Sequence, residues 1–120
     1  MGGSITLRNG YCWAGSGWEF RAIVRELEHY LDPDSDRKIL DRLHNPEGAA
    51  QAVELIDLSD HETWSDTEAK RVENAMTEAH RRVVRTGEWK SQGLRKDVQT
   101  VLSKTLEHIC GAGLRDSDET

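Results

Sequence analysis

Cysteine, proline and long apolar runs are all scarce in this 120-residue chain, and each scarcity excludes something. Cys12 and Cys110 are its only cysteines, too few for a disulfide framework or a paired C-x-x-C site, and they suit two reduced thiols in a cytoplasmic protein. No apolar run reaches the roughly 18 residues that a membrane helix requires. The opening MGGSITLRNG has no basic segment followed by an apolar one, so no secretory signal is expected. Met1-Gly2-Gly3-Ser4 has the composition of an appended tag. The two prolines are punctuation: Asp32-Pro33 and Asn45-Pro46 each place an N-cap residue before a proline suited to a first helical position.

Catalytic and ligand-binding signatures are equally scarce. There is no G-x-S-x-G and no S-x-x-K. His61-Glu62 begins like H-E-x-x-H, but Ser65 stands where the second histidine belongs. Asp32, Asp34 and Asp36 alternate like the start of a calcium loop, yet Arg37 occupies the sixth position, where glycine makes the turn. Helix capping explains these aspartates more simply. Gly15-Ser16-Gly17 is not followed by Gly-Lys-Ser/Thr and reads as a capped turn rather than a phosphate loop. Glu28-His29 and Glu107-His108 are helical neighbours about 100° apart, so neither pair chelates an ion alone. Cys12, on the apolar face of a hairpin, reads as packing rather than as a nucleophile. No catalytic residue, cofactor or metal is expected.

What is present is helical periodicity. Between Trp64 and Gly87, the residues Ala69, Val72, Met76, Ala79 and Val83 form one stripe at 3-4-3-4 spacing. Ser65 and Glu68 make a capping box, and Gly87 suits the stop. At about 1.5 Å per residue a helix over 66–86 spans a small domain, so it is expected at the centre. Ser16 and Glu19 form a second capping box before Phe20, Ile23, Val24, Leu27 and Leu31. Asn9-Gly10 predicts a two-residue hairpin turn pairing Leu7 with Cys12 and Ile5 with Ala14. The expected architecture is mainly α: a compact single-domain helical bundle of about five helices with a small N-terminal β-hairpin. The hairpin covers 4–14, and helices cover about 17–31, 33–43, 46–57, 66–86 and 92–110. One domain then spans residues 1–111, and 112–120 form a flexible acidic tail.

Charge is the remaining clue. The net charge is −6, divided unevenly along the chain. Residues 19–78 carry sixteen acids against seven bases, whereas residues 81–104 carry seven bases against Glu88 and Asp97. Asp32, Asp34 and Asp36 crowd one predicted helix start, and Asp57, Asp60 and Glu62 crowd the loop before the central helix. One carboxylate suffices to cap a helix, so the surplus predicts a surface for a basic protein partner. Tyr11 and Trp13, on the hairpin face away from Leu7, are the expected apolar anchors beside it, while Trp18 and Trp64 are assigned to the core. In size and charge the chain resembles bacterial immunity proteins and antitoxins, and no motif ties it to a family. The expected function is therefore a small acidic protein-binding module, in its most specific form one that neutralises a basic, nuclease-type toxin. The alternative is a nucleic-acid-associated regulator using the basic segment 81–104. A small hydrolase or metalloenzyme ranks third.

Overall fold

The structure is a computed structural model and describes residues 2–44 and 54–111. The chain begins with β1 (Gly2–Thr6) and β2 (Cys12–Ser16), then α1 (Gly17–Glu28) and α2 (Arg37–His44). It continues through β3 (Glu54–Asp57), α3 (Asp66–Thr86) and α4 (Lys96–Ile109). Among the described residues four helices thus accompany a three-stranded mixed sheet of order β2-β1-β3, with β1 antiparallel to β2 and parallel to β3. This corrects the expected bundle of about five helices with a small N-terminal β-hairpin.

The third strand is the main departure. Residues 54–57 form β3 where the helical spacing of Ala49, Ala52, Val53 and Ile56 predicted a helix over 46–57; residues 45–53 lie outside the described residues. From Leu55 to Leu58 burial alternates: Ile56 and Leu58 are buried, Leu55 and Asp57 half-buried. That is a period of two, and pairing with β1 selects it. The strand places Ile56 opposite Ile5. Gly2, Gly3 and Ser4 are part of β1. A Cβ on Gly3 would lie 2.5 Å from Phe20, so α1 packs on the sheet only because nothing projects there.

The hairpin is shifted by one residue from its expected register. Leu7 N–H donates to the Tyr11 carbonyl at 2.7 Å, and Gly10 N–H to the Leu7 carbonyl at 2.9 Å. Gly10 has φ 96°, the left-handed conformation that closes a three-residue loop rather than a two-residue one. Ile5 therefore faces Trp13, and Ser4 faces Ala14. Because side chains alternate, one residue of slip turns the whole strand over. Trp13 goes into the core, while Cys12 and Ala14 face outward.

Helix ends follow their caps. Ser65 and Glu68 close the capping box of α3, and its Ala69, Val72, Ala75, Met76 and Ala79 are buried. Helix α2 begins at Arg37 rather than residue 33, because Asp32 to Asp36 form turns and the Asp36 carbonyl accepts the Leu40 N–H. Helix α4 begins at Lys96 rather than 92. Trp18 is 46% exposed instead of buried, whereas Trp64 and Trp89 are in the core. The segment 112–120, expected as a tail, lies outside the described residues. Among the described residues no helix is long and apolar enough to cross a membrane.

Candidate protein-binding surface

The acidic residues singled out by the sequence lie on both sides of the N-terminal half of α3, and most have local work. The Asp32 carboxylate accepts the Asp34 and Ser35 N–H groups at 2.8 and 3.4 Å. Asp36 is buried; it accepts the Asp32 N–H at 2.8 Å and is bridged by the Arg71 guanidinium of α3. Asp57 accepts both the backbone N–H and the hydroxyl of Ser59. Asp60 accepts the Glu62 N–H at 3.0 Å and the Thr63 hydroxyl at 2.9 Å. Among the described residues only the Asp34 and Glu62 side chains of this set are exposed and make no hydrogen bond or ion pair.

The anchors are also redistributed. Trp13 is buried, so it cannot meet a partner as an exposed residue. Tyr11 is half-buried, its ring centroid 6.2 Å from that of His108 on α4.

Arginines that sequence reasoning passed over organise the surface. Arg8, in the hairpin loop, donates to the Leu58 and Trp64 carbonyls at 2.7 and 3.1 Å and pairs with Asp66. Its backbone N–H donates to Glu73 at 2.8 Å. One residue thereby ties the hairpin tip, the loop 58–64 and the start of α3 together. Arg42 of α2 lies 2.8 Å from Glu68 and stacks over the Trp64 ring at 5.2 Å. The Arg71–Asp36 pair completes a set of three cross-element ties. Between α2 and α3 they leave an open groove of about 610 Å³ lined by Asp34, Ser35, Lys38, Asp41, Thr67 and Glu68. No sequence signal marks these arginines, because their partners are brought close only by the fold.

The same contacts keep the carboxyls charged. Asp36 and Asp66 are held below the usual carboxylate range, foremost by hydrogen bonds from Arg71 and Arg8. Asp60 is lowered first by the Thr63 hydroxyl, Asp32 by the Asp34 N–H, and Glu68 by the Ser65 N–H. A depressed folded-state pKa adds stability that is complete above the unfolded value and is lost as pH falls through the folded one. Unfolding free energy should therefore change little between pH 7 and 6 and fall progressively below about pH 5, where the unfolded carboxylates begin to protonate. Urea melts at half-unit pH steps check this, and a decline already complete at pH 5 would contradict it.

Among the described residues no three histidine, cysteine, aspartate or glutamate side chains converge on a metal site. The basic segment is dispersed: Arg81 pairs with Glu78, Arg95 pairs with Asp97, and the Lys90 ammonium sits 4.2 Å over the Tyr30 ring. Comparison with protein-family models, curated proteins and solved structures finds no match to this chain.

Proposed function

We propose that the chain is a small acidic protein-binding module that acts in the cytoplasm by stoichiometric capture of a basic partner. Its most specific form is neutralisation of a basic toxin, as an immunity protein or antitoxin does. The observation that carries this reading is the ridge formed by the loop before α3 and its first turn. Residues 58–68 contain four acids, Asp60, Glu62, Asp66 and Glu68, and neither lysine nor arginine. Glu62 and Asp66 are exposed, and Asp60 and Asp66 have lowered pKa values that keep them ionised at physiological pH. The ridge is held by Arg8, Arg42 and the turn hydrogen bonds, so binding orders little new structure. Across the α2–α3 groove, Asp34 adds a third exposed carboxylate. Fixed negative charge of this kind steers a cationic surface and accelerates encounter.

Charge reversal tests this where it leaves the turns intact. Asp57 and Asp60 are poor targets, since each holds donors of its own loop. Asp34→Lys combined with Glu62→Lys spares every hydrogen bond described above. Affinity capture from the native host with the unaltered chain should retain a basic protein in equimolar amount. The double reversal should weaken retention by about tenfold or more while the circular dichroism stays unchanged. Recovery of nucleic acid alone, or equal retention by both chains, would overturn the reading.

A further inference from the structure

The edge strand β2 carries no lysine, proline or charge of its own that would discourage pairing. Leu7 and Tyr11 share a hydrogen bond, so in the antiparallel ladder the bonded pairs continue at Ile5–Trp13 and Gly3–Gly15. The N–H and C=O groups of Cys12 and Ala14 consequently point away from β1. Among the described residues no strand lies on that side, because the sheet order is β2-β1-β3. Natural edges are blunted by lysine, proline, bulges or inward charges. The sequence Cys-Trp-Ala-Gly-Ser has none of these, and its one-to-one register with β1 contains no bulge. In a chain with 32% charged residues, an uncharged, exposed edge is conspicuous.

We propose that two copies of this chain pair through β2, antiparallel about a two-fold axis at Trp13, joining their sheets into one. This surface is separate from the acidic ridge. The register follows from which groups are available. Ser16 N–H is directed to Glu19 in the cap of α1, which leaves Cys12 and Ala14. Those two satisfy each other when Cys12 of one copy faces Ala14 of the other, each pair exchanging two hydrogen bonds. A second copy is the occupant this pattern selects: the outward groups of Cys12 and Ala14 are self-complementary about Trp13, and no charged side chain opposes another in this register. Cys12 and Ala14 are small and lie on the outer face, so the strands approach without obstruction. On the inner face Trp13 meets Trp13 of the copy as a non-hydrogen-bonded pair, the closer kind, covering its remaining 9% exposure. Trp18, 46% exposed two residues beyond the strand, supplies further apolar surface near the same edge.

Sedimentation velocity of the full chain from about 1 µM to about 500 µM should show the mass doubling with concentration. Ala14→Pro removes an edge-facing N–H without breaking the β1–β2 ladder, and Ala14→Lys places a charge on the exposed position. Both should raise the dimer dissociation constant at least about tenfold, a difference of about 1.4 kcal/mol, with circular dichroism unchanged. If the proline variant misfolds, the lysine variant carries the test. Position is read separately with a nitroxide at Cys12 in a Cys110→Ser chain. The paired strands place the two Cys12 Cα atoms about 8 Å apart, so the dimer spectrum should show dipolar broadening. A monomer at every concentration overturns the proposal, as does a dimer that lacks broadening and ignores the lysine substitution.

Discussion

Glu26→Ala is expected to lower the unfolding free energy by about 3 kcal/mol or more, as measured by urea denaturation. Glu26 is fully buried on α1, among Ile23, Val24 and Leu27. Its carboxyl group accepts the Lys90 N–H at 2.8 Å, the Ser91 N–H at 2.9 Å and the Ser91 hydroxyl at 2.7 Å. These bonds fix the connector between α3 and α4 to α1. Alanine would leave three donors without that acceptor, and each buried, unsatisfied donor costs about 1–3 kcal/mol. Tyr30 belongs to the same cluster, its hydroxyl 3.4 Å from Glu26 and its pKa pushed up to about 12 by burial and then by the Glu26 charge. Glu26→Gln keeps one acceptor oxygen and should cost less than half as much. Equal losses from both variants would show that the charge, not the connector's hydrogen bonds, is what matters.

Met76→Asp should be at least as severe, costing about 4 kcal/mol and leaving the chain largely unfolded at moderate urea. Met76 has no exposed surface, and it lies in the middle of the α3 stripe between Val72 and Ala79. Among the described residues no lysine or arginine is buried in the core to meet an aspartate there. Glu73, one turn earlier, gives the contrast. It is half-buried and accepts the Arg8 N–H, so Glu73→Ala should cost about 1 kcal/mol rather than nothing. Parallel melts check both values, and comparable losses at the two positions would contradict the placement of the core.

Helix α3 was legible in the sequence because everything that defines it is local. Its cap, its stripe and its stop are written within about two dozen consecutive residues. Strand β3 was not, because its partner β1 lies some fifty residues away and the spacing of Ala49, Ala52, Val53 and Ile56 satisfies a helix equally well. The hairpin turn was legible but its loop length was not. Asn9-Gly10 fits a two-residue or a three-residue loop, and the choice decides whether Trp13 or Cys12 enters the core. The acidic residues show the same division. Their clustering is plain in the sequence, but Arg71 reaches Asp36 from 35 positions away and Arg8 reaches Asp66 from 58. Counting carboxylates against caps therefore overstated the surplus. Asp34 and Glu62 are what remains unengaged, and they make a narrower surface than the clusters suggested.

The most direct test of partner capture by that surface is the association rate, measured by stopped flow with the basic protein recovered from the host. The expected rate falls by about tenfold or more between low and physiological salt, and falls again in the Asp34→Lys/Glu62→Lys chain, whose own stability is unchanged. A rate that is indifferent to salt and to both reversals would contradict the account, leaving the acidic ridge a solvated surface with no part in binding.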